Sequence, residues 1–144
     1  MLLTRPRVVV LIAILASAGQ SLVGQRDDRD PDYVAQISTV AAIRNMVTVL
    51  DLYASEHGGR FPGNLGELKY KFPEWSLNDG WKRPLYYYST GTTYILVSYG
   101  RSGKPDPQTA QAGGHSAEND YEADIVLINR VWAQSPKWVD RELG

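Results

Sequence analysis

Residues 30–59, DPDYVAQISTVAAIRNMVTVLDLYASEHGG, carry the strongest structural signal in the chain. Residues 30–32 provide an aspartate suited to capping a helix, a proline suited to the first helical turn and an acidic residue at the positive end of the helix dipole. Apolar residues then recur at intervals of three or four: Tyr33, Ile37, Val40, Ile43, Val47, Leu50 and Ala54. This spacing predicts an amphipathic helix over about 31–57, closed by Gly58 and Gly59, whose apolar stripe must be covered by another element.

The sequence after this helix predicts two turns and a short second helix. Residues 61–64 (FPGN) combine three residue types that favour turns. Residues 65–71 favour a short helix with Leu65 and Leu68 facing inward. Residues 78–81 (NDGW) predict a further turn, in which the aspartate accepts backbone N–H hydrogen bonds and the tryptophan is an apolar anchor.

Four later segments have the β-branched and aromatic composition of strands: residues 85–89, 93–99, 124–128 and 131–134. A short polar loop joins the first two, and a turn with Asn129, which tolerates positive φ, joins the last two. These segments predict two hairpins. The fold class is therefore α+β, with a long N-terminal helix packed on a small antiparallel sheet of about four strands.

Composition excludes several classes of function. The chain has 144 residues, enough for one domain, and is 43% hydrophobic and 22% charged, which is typical of a globular protein. The formal net charge of −1 leaves no broad basic surface for nucleic acid. The chain has no cysteine and only two histidines, which excludes disulfide scaffolds, thiolate nucleophiles and multi-histidine zinc sites.

The N-terminal residues predict export. Arg5 and Arg7 precede an apolar run that ends in Ala-Ser-Ala, so residues 1–18 are interpreted as a cleavable signal peptide. The alternative is an uncleaved inner-membrane anchor formed by residues 8–23. Residues 19–32 then form a polar linker, and the predicted location is periplasmic or otherwise extracytoplasmic.

Four motifs occur in a characteristic order: LDLYASEHGGRFP (50–62), DGWKRPLYYY (79–88), YILVSYGRSGKPD (94–106) and EADIVLINRVW (122–132). Together they resemble the globular part of the type II secretion major pseudopilin, protein G, and of related bacterial pilin-like proteins. The resemblance covers residues 33–139, leaving 140–144 as a tail. It implies a pilin-like, non-enzymatic subunit or accessory of a type II secretion or type IV pilus-like machine, with other pseudopilin or secretion-machine subunits as partners and no small-molecule substrate.

The N-terminal segment departs from the family pattern. Pseudopilins carry a leader that ends in glycine, followed by a Phe-Thr-Leu-Ile-Glu-like start to a long apolar helix that forms the filament core. In this chain Gly19 is followed by Gln20 and Ser21, and Pro31 interrupts any continuous helix. The resemblance therefore implies the globular domain, without the filament-forming tail.

The long Gly- and Pro-rich stretch at 101–123 is the most unusual part of the sequence, since loops of this length are usually functional, ion-bound or disordered. The resemblance implies a calcium site here, built around an aspartate in a G-x-D-G turn. In this chain Ser102 stands in place of that aspartate, beside the cationic Arg101.

Other oxygen ligands for calcium surround this turn. The predicted calcium ligands are Asp124, Glu122, Asp120, Asp106 and Ser102, with Glu118 as a further acid of the same loop. The alternative is that these acids are ordinary solvated loop residues and that Asp124 caps a turn.

The sequence gives little support to an enzymatic function. Ser116 and His115, near Asp120, are the residues from which a catalytic triad could be drawn, but the chain has no G-x-S-x-G nucleophile motif and this stretch is rich in glycine. His57, in the last turn of the long helix, is interpreted as a surface residue at the negative end of the dipole. We therefore expect no catalytic site.

The tyrosines allow a second reading, a stand-alone secreted or periplasmic binding module that is calcium-stabilised or binds carbohydrate. Exposed aromatic rows stack on sugars, and the strand region contains Tyr86, Tyr87, Tyr88, Tyr94 and Tyr99. Because strand side chains alternate in direction, we expect alternate tyrosines to pack between helix and sheet while the others cover the outer face. A coplanar row of solvent-facing rings would favour the sugar-binding module.

Overall fold

A computed structural model describes residues 30–71, 77–107, 114–117 and 119–139. The predicted signal peptide, most of the linker, Glu118 and the tail at 140–144 lie outside the described residues.

The long helix α1 comprises Pro31–Glu56, as the sequence predicts. Asp30 is its N-cap and its side chain accepts a 3.0 Å hydrogen bond from the amide N–H of Asp32. At the other end, Gly58 and Gly59 have φ of +65° and +82°, and the Gly59 amide donates to the carbonyl of Ala54 at 2.8 Å. Both helix ends therefore satisfy backbone groups that the helix leaves without an internal partner.

The buried face of α1 agrees with the predicted stripe from Val40 onward and differs before it. Ile37 was expected to face the core, but it is 40% exposed, and Tyr33 is only partly buried. The first two turns instead bury small or polar side chains: Ala35, Gln36 and Thr39. The reason is a close approach of the backbone of Gly80, whose amide donates to Thr39 Oγ1 at 2.9 Å. A small, hydrogen-bonding face fits this contact better than a large apolar one.

The short helix α2 comprises Gly66–Lys71, preceded by the buried Leu65 and carrying the buried Leu68. The sheet has five strands: β1 (Tyr86–Ser89), β2 (Tyr94–Ser98), β3 (Gly114–Ser116), β4 (Ile125–Ile128) and β5 (Val131–Pro136). Their order across the sheet is β1-β2-β4-β5-β3.

The sheet is mixed, so the prediction of about four antiparallel strands is wrong in one respect. Strand β3 adds a fifth strand that pairs in parallel with β5, with His115 opposite Ser135. This Gly-His-Ser strand has none of the apolar alternation of a strand, and its place depends on backbone pairing with β5. The two predicted hairpins are present, and the turn of the second contains Asn129 and Arg130 with φ of +46° and +72°.

The core lies between α1 and one face of the sheet. Buried helix residues such as Ile43 and Leu50 belong to one hydrophobic cluster with Tyr94, Leu96 and Leu127 of the sheet. Cross-strand partners share a face, so this inner layer continues from Leu96 to its neighbour Leu127. The expectation that the tyrosine-rich β-layer covers the helix stripe is confirmed for the part of the stripe that begins at Val40.

Candidate functional site

The turn at residues 100–103, after β2, is the centre of the predicted calcium loop. Gly100 has a φ of +59°, and a Cβ at this position would lie 2.6 Å from the carbonyl oxygen of Tyr121. Glycine is therefore required both by the backbone conformation and by the approach of the neighbouring chain. Ser102 is exposed, and its Oγ is 3.2 Å from the amide nitrogen of Lys104 and 3.3 Å from the carbonyl oxygen of the same residue.

The structure brings two of the predicted calcium ligands together. The backbone N–H of Asp106 donates to both carboxylate oxygens of Asp124, at 3.1 and 3.2 Å. Asp124 is buried, which raises the pKa of its carboxyl, while the hydrogen bond from Asp106 acts in the opposite direction. Asp124 therefore ties the beginning of the long loop to the residue just before β4, a structural role close to the turn-capping alternative.

The remaining predicted ligands have different neighbours. Asp120 is exposed, and its amide donates to the carbonyl of Ala117 at 3.1 Å. Glu122 forms a 2.6 Å ion pair with Arg101. Among the described residues, no three histidine, aspartate or glutamate side chains form a group that could hold a metal ion. Calcium also accepts backbone carbonyl ligands, so the calcium site stays a prediction.

Two arginines supply positive charge around this turn. Arg101 contacts Glu122 through Nε at 2.6 Å and Asp32 through Nη1 at 2.9 Å. Arg83 donates from Nη1 to the carbonyl oxygens of Arg101, at 2.6 Å, and of Gly100, at 3.2 Å. The two guanidinium groups thereby join the turn to the N-terminus of α1, to the segment before β4 and to the segment before β1.

The segment before β1 is organised by Asp79. One carboxylate oxygen of Asp79 accepts the backbone N–H groups of Trp81 and Arg83, each at 3.0 Å. The other accepts the hydroxyl of Ser98 at 2.7 Å. The sequence predicted that Asp79 accepts turn N–H bonds, which is confirmed. The indole N–H of Trp81 also donates to Asp32 at 2.9 Å, a contact without a local sequence signal because 49 residues separate the pair.

The side chains of His115 and Ser116 both contact Ser135, on the neighbouring strand β5. The ring of His115 lies 3.2 Å from Ser135 Oγ, and Ser116 Oγ donates to the carbonyl of Ser135 at 3.4 Å. Ser135 has no exposed surface, so its hydroxyl is not accessible to a substrate. His57 is exposed and stacks on Tyr53 with ring centroids 3.8 Å apart, in agreement with a surface position at the end of α1.

The outer face of the sheet is unusually apolar. Tyr88, Ile95, Ile128 and Val131 are successive cross-strand partners and form a row across four strands. Tyr88 is 54% exposed, Ile128 39% and Val131 52%. The neighbouring row adds Tyr86, Val97 and Val126 on the same face, of which Tyr86 is half exposed, Val126 partly buried and Val97 buried. We call these seven residues the outer apolar face.

The tyrosines alternate as expected. Tyr87 points toward the helix side, where its hydroxyl donates to the carbonyl of Pro62 at 2.8 Å, and Tyr94 is buried there. Tyr86 and Tyr88 lie on the outer apolar face. The rings of Tyr86 and Tyr99 have centroids 6.2 Å apart and planes inclined by 41°, so this pair is tilted and not coplanar.

Among the described residues, one helix, α1, is long and apolar enough to cross a membrane by length and composition alone. Half of its most apolar 18-residue stretch is buried in the fold. A core helix passes the same test, and α1 contributes to the hydrophobic core.

Comparisons of the chain with protein-family models, with curated proteins and with solved structures found no match.

Proposed function

We propose that the protein is a non-enzymatic, exported assembly subunit. In this proposal it is a protein G-like, pilin-like component or accessory of a type II secretion or type IV pilus-like machine. It acts through protein–protein contacts with other pseudopilin or secretion-machine subunits. The observation that carries the proposal is the outer apolar face, together with the helix-on-sheet architecture that presents it.

An antiparallel sheet that packs a helix on one side usually presents polar residues on the other. In this sheet the row from Tyr88 to Val131 is apolar on all four strands. Burying such a row in a partner removes apolar surface from water, at about 25 cal/mol per Å². Tyrosine is also enriched at protein interfaces, because it combines a large apolar ring with a polar hydroxyl. These features favour a surface that binds another protein.

The described polar groups support a role without catalysis. A serine and a histidine are in contact, but Ser135 is fully buried and therefore unable to attack a substrate. The carboxylate of Asp124 accepts one backbone N–H that is shared between its two oxygens, and that of Asp79 accepts two N–H groups of its own turn and the hydroxyl of Ser98 on β2. These groups contribute to the fold, and this use supports an assembly role.

The predicted export segment belongs to the same proposal. If residues 8–23 are retained, they anchor the domain in the inner membrane, and if the chain is cleaved after residue 18, the domain is released outside the cytoplasm. N-terminal sequencing of the protein from its native cell envelope distinguishes the two forms.

A second candidate function is a secreted carbohydrate-binding module. Tyr86 and Tyr88 favour it, since about half of each side chain is exposed and both lie on one face. The tilt between the rings of Tyr86 and Tyr99 is less favourable, because a sugar-stacking platform needs rings that share one plane. Titration with soluble polysaccharides, read by tyrosine and tryptophan fluorescence, tests this candidate.

Site-specific photocrosslinking tests the assembly proposal. A photoreactive amino acid is placed at Val131 on the outer apolar face, and at exposed Thr48 on α1 as the control, in cells that express the chain with its native secretion genes. Crosslinked partners are identified by mass spectrometry. The expected result is enrichment of pilin-like or secretion-machine subunits at position 131 over position 48. Equal crosslinking at both positions, or no such subunit at position 131, would contradict the proposal.

A further inference from the structure

Arg101 bridges two carboxylates that are far apart in the sequence. Its Nη1 lies 2.9 Å from Asp32 Oδ2, 69 residues earlier, and its Nε lies 2.6 Å from Glu122 Oε1, 21 residues later. Its own backbone N–H donates to the carbonyl of Tyr121 at 2.7 Å. Both ion pairs are charge-assisted hydrogen bonds, which are stronger than neutral ones. They raise the pKa of the Arg101 guanidinium.

Arg83 performs a related task on the other side of the turn. Its guanidinium donates to the carbonyl oxygens of Gly100 and Arg101. It lies so close to Gly103 that a Cβ at that position would be 2.5 Å from Arg83 Nε. Glycine at 103 is therefore needed to admit the guanidinium, and its φ of +69° is also one that other residues rarely adopt.

We propose that Arg83 and Arg101 act as built-in cations that fold the 100–103 turn, in place of the calcium ion that the family resemblance implies for this loop. The turn then holds its shape without a divalent cation. The inference is independent of the proposed assembly function, since it concerns only how the loop is held.

The oxygen atoms around the turn support this assignment. The carbonyls of Gly100 and Arg101 and the carboxylates of Asp32 and Glu122 already accept guanidinium N–H groups. Calcium requires about six to eight oxygen ligands, and a divalent cation beside two guanidinium groups would be repelled by them. Ser102 stands where the resemblance places an aspartate, and its neutral hydroxyl bonds to Lys104. The turn thus has the neutral Ser102 at the position of the family's aspartate, and the guanidinium group of Arg101 beside it.

The test compares calcium dependence with arginine dependence. Thermal unfolding of the wild-type domain is measured in EDTA and in millimolar calcium, and the expected change in Tm is below about 1 °C. Arg101→Gln is expected to lower Tm by about 3–6 °C in both conditions, since it removes both ion pairs that join the turn to α1 and to the segment before β4. The matched control is Arg130→Gln, which removes an equally exposed ion pair, 3.2 Å from Asp51, at the other hairpin.

A local measurement keeps the test decisive if Arg101→Gln unfolds the domain. Arg101→Lys preserves the charge but replaces the two-nitrogen geometry by one ammonium. Hydrogen exchange of the amides of Arg101 and Gly103 is then expected to accelerate at least tenfold relative to wild type, with core amides unchanged. A calcium-induced rise in the wild-type Tm of several degrees would overturn the proposal. So would a loss of stability in Arg101→Gln no larger than in Arg130→Gln, or unchanged exchange in Arg101→Lys.

Discussion

The indole N–H of Trp81 donates a 2.9 Å hydrogen bond to Oδ1 of Asp32, the second residue of α1. The other oxygen of the same carboxylate accepts from Arg101. Asp32 thus connects the first turn of the helix to two segments that come much later in the chain. Together with the hydrogen bond from the Tyr121 hydroxyl to Asp30, at 3.0 Å, these contacts fix the N-terminal end of α1 against the loops.

These contacts predict that Asp32 stabilises the fold at neutral pH and that this stabilisation is lost in acid. The hydrogen bond from Trp81, followed by the hydrogen bond and charge of Arg101, lowers the pKa of Asp32 below its ordinary value of 3.8. A carboxyl whose pKa is lower in the folded state stabilises the fold above its unfolded pKa, and this stabilisation is lost as the pH falls through the folded pKa. Asp32→Asn should therefore lower the free energy of unfolding by about 1 kcal/mol at pH 7 and by less below pH 4.

Urea unfolding of wild type and Asp32→Asn across pH 2–7 checks this prediction. The comparison between the two proteins is needed because Asp124, whose pKa is raised by burial, contributes with the opposite sign. A difference in unfolding free energy that does not change with pH would contradict the assigned role of Asp32.

Tyr94 predicts the alkaline behaviour of the domain. Its hydroxyl is buried near Asp51 and the backbone of Arg130 without a well-formed hydrogen bond to any described residue. Burial raises the pKa of Tyr94 from 10.0 to about 12. A raised folded pKa means that the contribution of Tyr94 to stability is complete well below pH 10 and is lost as the pH rises through about 12, a loss of roughly 3 kcal/mol.

Tyr94→Phe removes both the titration and the unpartnered hydroxyl. We expect the variant to equal or exceed wild type in stability at pH 7, since no hydrogen bond is lost. We also expect it to retain more stability than wild type between pH 10 and 12. Parallel alkaline unfolding curves of the two proteins, followed by circular dichroism, would exclude this role for Tyr94.

Gly80 predicts a steric requirement at the contact between the turn and α1. A Cβ at this position would lie 2.0 Å from the carbonyl oxygen of Ala35, which is backbone and unable to move away as a side chain would. Gly80→Ala should therefore destabilise the domain by about 3 kcal/mol or more, at the upper end of overpacking effects. Gly63→Ala is the control, because its Cβ would meet only the end of the Glu67 side chain, at 3.4 Å. Thermal unfolding measures both, and equal losses would contradict the close contact.

Asp79 predicts a difference between two substitutions at one buried position. Asp79→Ala leaves the amides of Trp81 and Arg83 and the hydroxyl of Ser98 without their acceptor, and should cost about 3 kcal/mol. Asp79→Asn keeps one oxygen for the two amides and presents an NH₂ group that donates to the Ser98 hydroxyl oxygen; because only the Ser98 O–H proton loses its acceptor, the expected loss is about 1–2 kcal/mol. Urea unfolding at pH 7 distinguishes the two. A loss for Asp79→Asn as large as for Asp79→Ala would mean that the carboxylate charge matters more than the hydrogen bonds.

The local elements could be predicted from the sequence because their signals are local. The cap at Asp30, the glycines after α1 and the turn residue Asn129 act within a few positions of themselves, and each has the expected conformation. Strand β3 could not be predicted, since Gly-His-Ser has no strand pattern and is placed by pairing with β5. The outward position of Ile37 also depends on a distant segment, the backbone at Gly80.

At the candidate site, too, some features could be predicted from the sequence and others are visible only in the tertiary structure. The sequence by itself determined that acids and glycines surround the turn at 100–103 and that Ser102 and Arg101 lie within it, because residue type and spacing can be read directly from the chain. Only the tertiary structure decided which groups meet. It pairs Arg101 with Asp32 and Asp124 with the amide of Asp106, and it places four apolar residues in one row across the sheet. Such pairings join positions tens of residues apart, and packing and strand register select them where local propensity carries no information.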